Sequence, residues 1–130
     1  MATTTVGTGE TYTTWTSWEA SLSTAQEEIG EGKDELFSER VTINATAPTS
    51  IKMRAVSGAE HDGTAGSGAR IDNTVNGFSA INFTLSVAAE VSDLEIINTQ
   101  ASGDGIRTVG TSSTGTLTCM RLLYHDIPRS

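Results

Sequence analysis

From Val41 onward, apolar residues recur at every second position, in runs too short to be helices. Val41 and Ile43 flank Thr42, and Ile51, Met53 and Ala55 alternate with Lys52 and Arg54. Ile81 and Phe83 flank Asn82, Leu94 and Ile96 alternate with Asp93 and Glu95, and Met120 and Leu122 alternate with Cys119 and Arg121. A period of two places successive side chains on opposite faces of a strand, so each run reads as a short, one-sided strand bounded by Gly, Ser, Thr or Asn. The tract AEHDGTAGSG (Ala59 to Gly68) is dense in breakers and reads as a loop.

The runs also repeat. With DLEIINT (Asp93 to Thr99) set beneath CMRLLYH (Cys119 to His125), Leu94 lies over Met120, Ile96 over Leu122 and Glu95 over Arg121, an offset of 26. With GFSAINF beside DGIRTVG, Ile81 lies over Ile106, an offset of 25. A fixed internal period of this size is the signal of a solenoid, in which each coil buries its apolar side only by stacking on the next, about 4.8 Å away. The predicted core column is therefore Ile81, Ile106, Leu94, Met120, Ile96 and Leu122. Glu95 over Arg121 would be an exposed cross-rung pair, worth under about 1 kcal/mol. A β-sandwich competes with this reading. Its tight hairpin signals are poor, because Asp62-Gly63, Asn76-Gly77 and Asp104-Gly105 precede strands at coil-like intervals.

Residues 1–40 differ from the rest. They hold Glu10, Glu19, Glu27, Glu28, Glu31, Asp34, Glu35 and Glu39 against Lys33 and Arg40, which is −6 of the total −8. The only helix candidate lies here, capped by Thr11 or Thr13, with Trp15, Trp18 and Leu22 on one face. That stripe reads as a lid over something apolar. Gly30 and Gly32 read as a loop that ends the segment. The chain thus divides into residues 1–40, an N-terminal strand and capping helix, and residues 41–130, the coils, within one domain.

The opening TVGTGETYTTWTSWEASLS resembles the first segment of right-handed parallel β-helix proteins of the pectin-lyase-like class, with Val6, Gly7, Gly9, Tyr12, Trp15 and Trp18 fitting its layout of strand, turn and capping helix. IKMRAVSGAEHDG, VSDLEIINT and SGDGIRTVG look like its coil strands and turns. The resemblance covers roughly residues 3–126. It implies an all-β fold, a short right-handed parallel β-helix with an N-terminal amphipathic capping helix formed by Tyr12, Trp15, Trp18 and Leu22. The layout is common in virion surface proteins of tailed bacteriophages. After a cap of ~40 residues, about 90 remain, or three to four coils at ~25 residues each. Enzymes of the class have many more. The chain ends at YHDIPRS, right after the last strand, so an uncovered coil end is expected, with a partner or a second copy over it.

Composition narrows the functions. A net charge of −8 disfavours nucleic acid, and no apolar run approaches the ~18 residues of a membrane span. The N-terminus has no basic patch and apolar core of a signal peptide. A lone Cys119 excludes an internal disulfide and a cysteine metal site, and Thr and Ser, at 21 and 14 residues, give hydroxyl-rich, β-leaning faces. Polysaccharide cleavage, the activity the resemblance makes tempting, needs neighbouring aspartates. Asp93, Asp104 and Asp126 are too scattered and read as turn or surface residues, while Arg107 and Arg121 are weak candidates for a lyase base. His61-Asp62 and His125-Asp126 lack a third metal ligand, since sequence neighbours on a strand face opposite ways. GTAGSG lacks the lysine and helix of a phosphate cradle, and no GxSxG is present. Asn44 and Asn82 begin glycosylation sequons that matter only in a glycosylating host.

No catalytic, cofactor-binding or metal-binding residue is therefore assigned. The leading expectation is a non-enzymatic structural protein of a virion surface, such as a bacteriophage decoration, spike or fibre subunit. Its partners would be other copies or virion proteins covering the open C-terminal coil, with a surface glycan as a further ligand, and its place the virion surface or the extracellular space. A self-assembling filament stacked head to tail is the second expectation. The front part of a polysaccharide lyase or hydrolase is the third.

Overall fold

A computed structural model describes residues 1–75, 77–84, 86–100, 104–109 and 115–125. Its elements are β1 (Ala2–Val6), α1 (Trp15–Glu19), β2 (Glu27–Gly32), β3 (Leu36–Ser38), β4 (Val41–Ile43), β5 (Ser50–Ala55) and β6 (Arg70–Asp72). β7 (Ile81–Thr84), β8 (Ala88–Ser92), β9 (Glu95–Ile97), β10 (Ile106–Val109), β11 (Leu117–Met120) and β12 (Leu123–His125) complete them. The strands form three sheets ordered β1-β2-β5-β8-β11, β3-β6-β9-β12 and β4-β7-β10. Every strand pairing in them is parallel.

This corrects the expected fold class. In place of an all-β, short right-handed parallel β-helix of three to four regular coils with an amphipathic capping helix, the described chain forms three all-parallel sheets and one short helix. The single repeat behind the expectation does not hold. Ser50 pairs with Glu27 and Ile81 with Val41, so partners lie 23 residues apart in one place and 40 in another. The segments between strands absorb the difference, and they carry no apolar period to read. Nor is β1 the one strand before residue 41, because β2 and β3 also precede it.

Register also departs from the sequence alignment at the last strands. Ile81 pairs with Ile106, but Met120 lies beside Ser92 rather than Leu94, and Ile96 beside Tyr124 rather than Leu122. The offset there is 28, as between Asp93 and Arg121. Asp93 and Arg121 both have positive φ, 60° and 47°, at the equivalent bends that separate β8 from β9 and β11 from β12. An alternation count runs straight through such a bend and slips by two residues.

The core follows from the pairing. Parallel register lays each inward side chain on its equivalent: Phe37, Ile71 and Ile96 in one column, Val41 and Ile81 in another, Met53 and Val91 in a third. All seven are buried. Each such side chain is worth about 1.5–3 kcal/mol in burial. Asn73 and Asn98 form a polar rung between neighbouring turns. Both are buried, Asn73 Nδ2 donates to Asn98 Oδ1 (3.2 Å), and Asn98 Nδ2 donates to the carbonyls of Phe78 and Asp104 (3.0 Å each). The buried amides thus find their partners in each other and in the loop carbonyls around them.

Tyr12, Trp15, Trp18 and Leu22 gather at one end, called here the head. α1 has only five residues, and its N-cap is Thr14, not Thr11 or Thr13. Thr14 Oγ1 accepts from Ser17 N–H (3.1 Å), and Glu39 accepts from the N–H groups of Trp15 and Thr16 (2.9 Å each). The helix stops at Glu19, so Leu22 lies beyond it, yet Leu22 and Tyr12 pack against the core half-buried. Trp15 and Trp18 are buried in a T-shaped pair, centroids 5.7 Å apart. Gly30 and Gly32, expected to form a loop, are strand residues of β2, and an added Cβ would lie 2.8 Å from Trp15 at Gly30 and 2.7 Å from it at Gly32. The two glycines leave the space that the indoles fill.

Gly30→Ala should therefore destabilise the fold by about 1–3 kcal/mol through overpacking. Urea denaturation followed by tryptophan fluorescence checks this, with exposed Thr42→Ala as the control that changes little.

Candidate functional site

The opposite end, the tail, is built from β10, β11 and β12, each the outermost strand of its sheet among the described residues. Thr116 and Met120 give their carbonyls to the N–H groups of Ala89 and Asp93 on the preceding strand. Backbone groups alternate in direction along a parallel strand, so those of Leu117 and Cys119 face the open side. Exposure rises abruptly along the core columns at this end. Ile71 and Ile96 are 0% exposed, while Tyr124 in the same column is 45% exposed. Likewise Cys119 is exposed where Val91 beneath it is buried, and Thr108 is exposed where Phe83 is buried. Interior positions thus surface here as a patch of Ile106, Leu117, Cys119 and Tyr124.

The tail is held in shape on one flank by charged groups. Arg121 grips Asp93 with two hydrogen bonds, 2.5 and 2.7 Å. The expected pair of Glu95 with Arg121 is thereby corrected, since Glu95 is fully buried and pairs elsewhere. Its two oxygens accept from Gly66 N–H (3.0 and 2.9 Å), and it meets Nε2 of His125 on β12. The loop that carries Gly66 also carries His61. Nδ1 of His61 accepts from Gly63 N–H (3.2 Å), so Nε2 bears the proton and donates it to the Arg121 carbonyl (2.6 Å). The two His-Asp dipeptides thus contribute one histidine each to the same flank. Asp62 closes its own loop by accepting from Thr64 N–H and Ser67 Oγ (2.8 Å each), and those bonds lower its pKa.

The other candidates are dispersed. Asp93 is tied to Arg121, Asp104 is exposed beside the tail, and Asp126 lies outside the described residues. Among the described residues no group of three His, Cys, Asp or Glu side chains is placed to hold a metal ion. Asn82 is buried, with Arg40 poised to donate to its amide oxygen, whereas Asn44 is exposed. On the outer face of the five-stranded sheet, Ser50, Lys52, Glu90, Thr116 and Thr118 line a shallow groove.

Sequence reasoning missed the buried role of Glu95 and the asparagine rung. The rung had a signal, because Ile71-Asp72-Asn73-Thr74 and Ile96-Ile97-Asn98-Thr99 share Ile-x-Asn-Thr. Glu95 had none, since nothing in an alternating strand marks which outward acid a distant loop will cover.

No protein-family model, curated protein or solved structure matches this chain. Its function has to be argued from its own geometry.

Two titrations report on the tail. The guanidinium of Arg121 holds the Asp93 carboxyl below its ordinary pKa against an opposing effect of burial. A depressed carboxyl stabilises the fold above its unfolded pKa of about 4 and loses that contribution as pH falls through the folded value. Asp93→Asn should therefore melt below wild type at pH 7, and the gap should close at acid pH. Burial, then the neighbouring Cys119, pushes the Tyr124 phenol up to about 12. In Tyr12→Phe protein, where Tyr124 is the only phenol, absorbance at the phenolate band should rise near that pH. A midpoint at the ordinary value of about 10 would contradict this environment for Tyr124.

Proposed function

We propose that this chain is a non-enzymatic structural subunit that joins an assembly through its tail, the open edges of β10, β11 and β12. The observation that carries the reading is the coincidence of three outermost strands with exposed core-column side chains at the same end. An edge strand offers a row of unpaired N–H and C=O groups, which proteins either hide or use for pairing. Here, among the described residues, the edge of β11 lies beside Leu117, Cys119 and Tyr124. The resemblance of the opening segment points to a virion surface as the setting, with a bacteriophage decoration, spike or fibre subunit as the role.

Cleavage of polysaccharide has less support, because Asp93 is engaged by Arg121 and Glu95 is enclosed. Incubated with acidic and neutral polysaccharides, the chain should release neither new reducing ends nor unsaturated products. Release of either would overturn the structural reading.

A further inference from the structure

We propose that the partner at the tail is a second copy of this chain, bound tail to tail about a twofold axis, with β11 facing β11 of the other copy. The inference rests on the reading of the tail as an assembly surface. Three observations favour this occupant.

The head of another copy does not match the tail. Its interior is filled by Trp15 and Trp18, both buried, so it presents no apolar cross-section to receive Leu117 and Tyr124. Several backbone donors near it are also taken: Glu39 accepts from Trp15 and Thr16, and Glu19 accepts from Asn44 and Ala45 (2.9 and 2.8 Å). The head-to-tail filament expected from the sequence would therefore have to seat the tail on the edge of β1 without an apolar surface to receive Leu117 and Tyr124.

The tail matches itself. A twofold contact requires one patch to be complementary to its own copy. An apolar patch of Ile106, Leu117, Cys119 and Tyr124 meets that requirement. So do the outward N–H and C=O groups of Leu117 and Cys119, which pair with their equivalents when two edges run antiparallel.

Charge permits this arrangement and opposes the reverse one. Residues 1–40 carry −6 of the −8 net charge, so head-to-head contact would bring the acidic parts together. At the tail Arg121 is neutralised by Asp93 and His125 faces Glu95. Joining tails therefore places the two acidic heads far apart, where screening weakens their repulsion.

The test is sedimentation equilibrium of the full chain under reducing conditions over a range of concentrations. The expected result is a monomer–dimer equilibrium that stops at twice the chain mass. Iodoacetamide should alkylate Cys119 more slowly in proportion to the dimer fraction. Cys119→Lys, which puts two like charges at the seam, should be monomeric, while Cys119→Ser still dimerises. Should the lysine variant fail to fold, amide exchange on wild type supplies the same information: the Leu117 and Cys119 amides gain protection with concentration, and those of β1 do not. A monomer at every concentration with freely reactive Cys119 would refute self-pairing and leave the structural reading standing. Open-ended polymers would refute the twofold, and a dimer indifferent to Cys119→Lys and without protection of β11 would refute the location. Polysaccharide cleavage, by contrast, would sink the structural reading itself.

Discussion

Parallel pairing in register is the constraint on which the rest of this structure depends. Once Ser50 pairs with Glu27 and Ala88 with Ser50, every inward residue of one strand must sit on the inward residue of the next. The backbone ladder fixes both the vertical spacing and the face. A side chain is then judged by what lies above and below it rather than by its neighbours in sequence. Ile51 and Ala89 share a column for this reason, as do Met53 and Val91. The same rule explains why Gly30, directly beneath Met53, leaves a gap that only side chains from outside the ladder can fill. Trp15 and Trp18 enter from α1 and fill it, and Phe37 packs on Trp15 with centroids 5.6 Å apart. Among the described residues their indole nitrogens have no hydrogen-bond partner. That is the energetic penalty of closing an apolar end with the largest side chains at hand.

The acidic bias of the first 40 residues has a local use. Each of its eight acids has a partner. Glu10 meets Lys33, Glu27 meets Lys52, Glu31 meets Arg54 and Asp34 meets Arg70. Glu28 accepts from Gln26, and Glu19, Glu35 and Glu39 accept from backbone N–H groups. A carboxylate accepting from backbone N–H makes a charge-assisted bond stronger than a neutral one. At the head these bonds occupy donors of the first turn of α1 and of the segments that follow β1 and β4. A charge imbalance visible in composition thus reflects closure of one end, and need not signal a cationic ligand.

Strand content and inward faces were legible because alternation is a local property. Val41 with Ile43, Ile51 with Met53 and Ile81 with Phe83 all point inward, as their spacing implies. The coupling of Ile81 to Ile106 was legible because no bend intervenes within either strand. What failed was long-range arithmetic. Leu94 was matched to Met120 because a left-handed residue at Asp93 and another at Arg121 look, in a sequence, like ordinary strand positions. The extent of α1 was overestimated because Leu22 falls at helical spacing, although the chain leaves the helix at Glu19 and still brings Leu22 to the core. At the tail, the alternating pattern found the strands but was blind to Glu95, whose burial is imposed by a loop nearly 30 residues earlier in the chain, at Gly66.

The two ends are finished differently, and the difference bears on what the tail is for. An edge strand with nothing beyond it has little reason to hold its shape, because fraying relieves its exposed apolar groups. β12 is instead pinned. His125 engages the enclosed Glu95, Arg121 grips Asp93, and His61 reaches across from the overlying loop to the Arg121 carbonyl. The ring of Tyr124 is seated where Gly105 has no side chain, so that a Cβ there would lie 2.8 Å from it. These contacts cost ordering entropy in a region that buries little apolar surface of its own. Their combined effect is to keep three strand edges and one apolar patch in a fixed geometry. A fixed geometry of this kind is what the proposed tail-to-tail pairing would use, since a preorganised surface loses less entropy on binding.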